Sequence, residues 1–183
     1  MIVSFKRLSG WFVFEKKSLK DPVATMKDCG VDSDTGKIFA YWVFGIAGLQ
    51  VLRPADIWSW IGGKVVVEDE TVFQDPQKLP RLADLFEREV AILGAPVWQA
   101  GKKLGTVKDF FFDTETQFIL SFVYKKYWFS AKKTVFRYQV IRITEAGLEV
   151  DLTRTKKEAF MSESNLFAAS MPPVQELKEI TDL

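Results

Sequence analysis

The carboxylates of Asp32-Ser-Asp34-Thr-Gly36 are spaced like the opening of a calcium-binding loop, in which alternate side-chain oxygens converge on one cation. Such a loop needs glycine at its sixth position and a bidentate glutamate at its twelfth. Here glycine is fifth and the twelfth residue is Val43, while a related stretch starting at Asp113 has Gln117 and Tyr124 in those places. The acids are therefore read as hairpin residues, and no metal is expected. The chain has no histidine and a single cysteine, Cys29, which removes Ser-His-Asp and Cys-His catalysis, most zinc sites and imidazole proton transfer. Gly101-Lys-Lys-Leu-Gly105 has neither the P-loop nor the dinucleotide-binding spacing. Carboxylates and lysines are plentiful, but nothing singles out a catalytic pair. The expectation is a non-enzymatic protein with no catalytic residue and no cofactor. A carboxylate site between domains would need a deep polar cleft and raised carboxylate pKa values.

Two other stretches bear on binding. In Tyr124-Lys-Lys-Tyr-Trp-Phe-Ser-Ala-Lys-Lys133 basic side chains interleave with aromatic ones, and Arg137 follows. Lys125, Lys126, Tyr127, Trp128, Lys132, Lys133 and Arg137 are candidate partner-binding residues, either for a protein, since exposed Tyr and Trp are common anchors, or for RNA, by charge and stacking. The alternative is a twisted hairpin with its aromatics inward and its lysines in water. Phe44-Gly-Ile-Ala-Gly-Leu-Gln-Val-Leu52 is unusually apolar for a turn, and surfaces of that kind are normally covered. Ile46, Leu49 and Val51 are expected to form a contact surface on the other module, on a linker helix or on a second chain, so that a homodimer is one of the possibilities.

The elements that position these residues follow from an internal repeat. Lys27-Asp28, Asp32, Thr35, Ile38 and Tyr41 recur 81 positions later as Lys108-Asp109, Asp113, Thr116, Ile119 and Phe122. Upstream, Gly10 and Val13 recur as Gly94 and Val97, so the first copy carries three extra residues, placed in the loop holding Lys16 to Pro22. A period of this length makes each copy a domain and not a solenoid unit. With 48% hydrophobic and 14% aromatic residues, the chain has the apolar surface for packed cores. A formal charge of +1, from 25 basic and 24 acidic residues, gives no global attraction to nucleic acid or to an anionic membrane, so only local patches count.

Short runs rich in β-branched and aromatic residues, separated by Asp/Gly turns, predict strands at Val3 and Phe5, Trp11–Phe14, Val23–Val31, Lys37–Phe44, Leu49–Leu52, Ile57–Ile61 and Lys64–Glu68. The second copy repeats them at Pro96–Trp98, Leu104–Phe112, Phe118–Tyr124, Val135–Ile143 and Leu148–Asp151. Val107, Phe110 or Phe111, Ile119 and Val123 are candidate core positions. Leu79, Leu82, Leu85, Phe86 and Val90 recur at helical spacing. The chain thus reads as mainly β: a first module at 1–74, a short helical linker at 75–91, a second module at 92–152 and a polar tail at 153–183. Ile38–Leu52, the longest uncharged stretch, is shorter than the roughly 20 residues of a membrane helix. Met1–Phe14 lacks the pattern of an export signal. A cytoplasmic protein without an integral membrane segment is expected.

Gly94, Val97, Gly101, Gly105-Thr-Val-Lys-Asp109, Asp113 and Thr116 together resemble the PRC-barrel family, over roughly Glu89 to Asp151. The first copy, about Leu8 to Glu70, resembles it less closely: Ala24 stands where the pattern has glycine, although Gly10, Asp28, Asp32 and Asp34-Thr-Gly36 are kept. The resemblance implies two small PRC-type β-barrels in tandem, used for binding and not for catalysis. Relatives include the cytoplasmic domain of the reaction-centre H subunit and the C-terminal half of a ribosome maturation factor. The functional expectation is an adaptor acting through protein contacts, with an RNA- or ribosome-associated assembly factor as the alternative.

Overall fold

A computed structural model describes residues 1–79 and 90–157. The predicted linker helix falls mostly at 80–89, and the tail from 158 onward; both lie outside the described residues. Of the linker, Pro76–Lys78 forms a 3-10 turn.

The protein is mainly β, and its described residues form thirteen strands in two curled sheets. The first copy supplies β2 (Phe12–Glu15), β3 (Ser18–Val31), β4 (Ile38–Gly45), β5 (Gly48–Leu52), β6 (Ile57–Ile61) and β7 (Lys64–Val67), paired in the order β5-β4-β3-β2-β7-β6. The second supplies β8 (Pro96–Gln99), β9 (Lys102–Asp113), β10 (Ile119–Lys125), β11 (Lys133–Phe136), β12 (Val140–Thr144) and β13 (Gly147–Val150), in the order β11-β10-β9-β8-β13-β12. The two orders are the same. In each sheet one parallel pair, β2 with β7 and β8 with β13, brings the module's last hairpin beside its first strand. In each, a 3-10 turn sits in the same place, at Pro54–Asp56 and at Arg137–Gln139. The repeat read from residue spacing is thus a repeat of topology.

Three local expectations need correcting. Val135–Ile143, read as one strand, is broken by the Arg137–Gln139 turn. The three extra residues of the first copy do not sit in an open loop: β3 starts at Ser18, and the β2–β3 pairing absorbs the excess through register shifts around Phe14. Phe5 is not strand material but opens a helical turn, α1 (Phe5–Leu8), whose first turn is capped by the Ser4 hydroxyl accepting from the Arg7 N–H.

The largest departure concerns the first residues, grouped above with the first module. Strand β1 (Ile2–Ser4) pairs antiparallel with β9 of the second sheet, Val3 opposite Phe112. Phe5 stacks on Phe110 at 4.6 Å between ring centroids, and Val3, Phe5 and Leu8 are buried. Asp109 holds this arm by accepting from the Ser4 hydroxyl at 2.6 Å and from the Lys6 N–H at 2.9 Å.

The buried apolar side chains of both modules form one continuous core. Rings link it across the seam: Trp11 meets Trp60, Trp60 meets Tyr41 and Phe112, and Phe112 meets Phe110. Along β9 the inward positions are Val107, Phe110 and Phe112, with Phe111 only half-buried. The alternation slips by one residue where the β9–β10 register shifts, between Val123 and Tyr124, as an irregular ladder residue requires. Ile119 and Val123 are buried as the pattern predicts.

Candidate interaction surfaces

The two hairpins that carry the acids meet at the seam between the modules. The Asp32 carboxylate accepts from the Asp34 N–H at 3.1 Å and from the Thr35 hydroxyl at 2.9 Å. These bonds close a turn that ends on Gly36, at φ +70°. In the second copy Gln117 takes the same left-handed conformation, at φ 65°, which is costly for a residue with a Cβ. Its side chain offsets that cost. The buried carboxamide donates to the Thr114 carbonyl and accepts from the Tyr41 hydroxyl of the other module.

The two turns meet across an approximate twofold axis. Lys37 bridges Phe118, its own repeat equivalent, in antiparallel fashion. The Ile38 N–H donates to the Gln117 carbonyl at 2.9 Å, and the Ile119 N–H donates to the Gly36 carbonyl at 3.1 Å. Each bond is the repeat image of the other, which is the signature of an isologous contact. Arg137 belongs here. Its guanidinium donates to the Thr35 carbonyl at 3.3 Å and to the Val140 carbonyl at 3.3 Å, so it bridges the modules and does not join the lysine cluster with which its sequence position grouped it. A surface cleft of about 750 Å³ opens beside the seam, lined in part by Asp32, Lys37, Arg53, Glu115 and Thr116. Asp32 is spent on its hairpin, and Arg53 is paired with Asp56 at 2.7 Å. Among the described residues, the carboxylates with displaced pKa values are all lowered: Asp69 by the Thr71 hydroxyl, Asp113 by the Met1 ammonium and Asp151 by the Thr153 hydroxyl. Such shifts favour the ionised form and do not poise an acid for proton donation near neutrality.

The two candidate binding stretches occupy the same connection in the two modules. In the first it is the tight β4–β5 hairpin. Gly45 pairs with Gly48, leaving Ile46 and Ala47 at the apex, and Phe44 lies opposite Leu49 on one face. Ile46 is 93% exposed, and Phe44 and Leu49 are more than half exposed, so neither Ile46 nor Leu49 packs on the second module. Val51, grouped with them above, is fully buried. The chain after β7 returns along β5, with reciprocal bonds between Val51 and Gln74 of 2.8 and 3.0 Å, and covers it. Val51 therefore belongs to the core.

In the second module the connection is the β10–β11 loop. Tyr124 at its start is buried, but Trp128 is 85% exposed, Phe129 is 72% exposed and Tyr127 is more than half exposed. The inward-facing arrangement of these aromatics is thereby excluded. The apex is built, not slack. Ser130 donates through its hydroxyl and its N–H to the Tyr127 carbonyl at 2.9 and 3.1 Å and accepts from the Tyr127 N–H at 3.0 Å. The Lys125 ammonium donates to the Trp128 carbonyl at 3.1 Å. Tyr127 and Phe129 stack at 5.6 Å, and Trp128 stands edge-on to Phe129. Lys126, Lys132 and Lys133 are exposed around this apex. Strand β9 starts at the end of the sheet where β10 finishes, with Lys125 opposite Thr106, and its first two residues, Lys102 and Lys103, are exposed there. Spacing within the loop could not show those two lysines; the predicted β9–β10 pairing could. Phe44 and Phe129 were likewise visible in the apolar and aromatic runs, but their exposure was not.

Among the described residues no helix is long and apolar enough to cross a membrane. No curated protein matches the chain. Residues 91–157, which hold all six strands of the second module, match the family model of the PRC-barrel domain.

Proposed function

We propose that this chain is a non-enzymatic binding protein, an adaptor that joins partners through contacts made by its two modules. The observation that supports it is the placement of large apolar side chains in solvent at the same connection of both modules, Ile46 with Phe44 and Leu49 on one and Trp128 with Tyr127 and Phe129 on the other. Strands β4 and β10 leave the Lys37–Phe118 bridge in opposite directions, which carries the two apices away from each other. The faces between the modules are packed with rings. The apolar β4–β5 apex, with no charge between Val43 and Leu52, suits a protein groove. We place the protein in the cytoplasm, in keeping with its single buried free thiol, Cys29.

The experiment is affinity purification of the tagged chain from its own cells, with and without nuclease, beside the variant I46D/L49D. A nuclease-resistant protein partner that the variant loses is the expected result. Recovery of ribosomal proteins that vanishes with nuclease, and persists in I46D/L49D, would replace this reading with that of an RNA- or ribosome-associated factor.

A further inference from the structure

We propose that the β10–β11 apex docks the protein on the surface of an anionic lipid bilayer, with Trp128 and Phe129 entering the interface and the surrounding lysines meeting the headgroups. This deepens the reading of that apex as a contact site and does not depend on a protein partner at the β4–β5 apex.

Three features of the loop select the occupant. The first is the charge. From Tyr124 to Lys133 there are four lysines and no acid, and Lys102 and Lys103 begin the neighbouring strand β9. Protein interfaces are depleted in lysine around their aromatic anchors, whereas anionic leaflets attract such clusters, at about a fivefold gain in affinity for each lysine near the surface. The second is the arrangement of the rings. Single-stranded RNA is held by rings with open faces on which successive bases stack. Here Tyr127 and Phe129 cover one face of each other, at an interplanar angle of 12°, and Trp128 abuts Phe129 edge-on at 87°. The result is a compact wedge and not a stacking platform. The third is layering. The aromatic rings form the apex, while Lys126, Lys132 and Lys133 flank it in the chain on both sides. That is the order in which a bilayer is met from water, with Trp and Tyr suited to the headgroup level and lysine stems able to reach phosphate.

The Ser130 and Lys125 bonds hold the wedge in this shape before any contact is made, so little ordering is left to be done on docking. One wedge of three rings and a basic collar resembles a single lipid anchor in strength. Binding is expected to be reversible, with half-saturation on the order of 0.1 mM accessible lipid.

The test is co-sedimentation of the full chain with vesicles of phosphatidylcholine alone and of phosphatidylcholine with about a third phosphatidylserine. The wild type is expected to pellet with the anionic vesicles and not with the neutral ones, and to be released by high salt. W128S/F129S should lose at least about tenfold in affinity, and K126E/K132E/K133E should abolish pelleting. I46S/L49S should pellet like the wild type. The substituted side chains are solvent-exposed, and unchanged thermal melting of each variant verifies that it is folded. Absence of wild-type pelleting on anionic vesicles overturns the proposal, as does undiminished pelleting of W128S/F129S. Retention on a single-stranded RNA column without vesicle binding overturns it in favour of nucleic acid. None of these outcomes touches the protein contact at Ile46, which the nuclease-resistant purification reads separately.

Discussion

Replacing Gln117 by alanine removes a bond that spans the two modules, and its cost can be worked from the seam. The Tyr41 side chain is fully buried, and its hydroxyl donates to the Gln117 carboxamide. Loss of the acceptor leaves a buried phenol hydroxyl without a partner, worth about 1–3 kcal/mol. Alanine keeps the left-handed backbone strain at this position, so nothing is returned. Gln117→Gly relieves about 1 kcal/mol of that strain and should be correspondingly less damaging than Gln117→Ala. Tyr41→Phe removes the donor and leaves the carboxamide oxygen unpaired, at about 1 kcal/mol. The double variant Tyr41→Phe/Gln117→Ala removes both ends, so its loss should fall short of the sum of the single losses by about 1–2 kcal/mol. Equilibrium urea unfolding followed by tryptophan fluorescence measures all four proteins, with Trp60 reporting next to Tyr41. A coupling below about 0.5 kcal/mol would refute the assignment of the bond. Two separated transitions in the wild type would refute the shared core.

Four further outcomes are expected. Burial first, and the nearby Cys29 second, hold the Tyr41 phenol well above its ordinary value of 10.0; the fold therefore favours the neutral phenol, and stability falls as pH rises past about 10 because the unfolded chain ionises first. In alkaline melts, Tyr41→Phe should show a shallower decline than the wild type, the remainder including Tyr124, which burial also raises. Phe5→Ala should cost about 3–5 kcal/mol, because it empties the stack on Phe110, and hydrogen exchange should show the loss in β9 of the second module. Gly147→Ala should be far more damaging than Gly63→Ala in the corresponding hairpin of the first module. Both have positive φ, but a Cβ at Gly147 would lie 2.2 Å from the Pro96 carbonyl oxygen, whereas at Gly63 the nearest atom is 3.9 Å away; chemical denaturation of the two variants reads the difference. Arg137→Ala should weaken the seam while leaving vesicle pelleting intact, since its guanidinium contacts the Thr35 carbonyl and not the lysine cluster.

Much of this architecture was legible because the signals were local. Asp32-Ser-Asp34-Thr-Gly36 announces its turn through side chains that bond their own backbone and a glycine able to take positive φ, and the 81-residue spacing carries that turn to Asp113–Gln117. Gln117 shows the limit: no local rule puts glutamine in a left-handed turn, and its reason for being there is Tyr41, far away in sequence. The Arg53-Pro54 break was readable from proline, whereas its equivalent at Arg137–Gln139 has no proline and passed for strand. The arm Met1–Leu8 has ordinary strand and turn residues, and nothing in them says that β9 of the other module is the partner, because pairing over such a separation is decided by the whole core. The two apices stand out in the sequence as unusual, but whether their rings point in or out depends on how far each hairpin projects. That is a property of the curled sheet, invisible in a run of residue types.

The reciprocal pair of bonds around Lys37 and Phe118 bears on copy number in the cell. A contact of this symmetry between separate chains dissociates when protein is scarce, and every change on one side is repeated on the other. Within a single polypeptide the contact persists at any dilution, because the linked halves hold each other at a high effective concentration. Each half can also change alone. One apex is apolar and uncharged and the other aromatic and basic, a difference that identical subunits could not have reached.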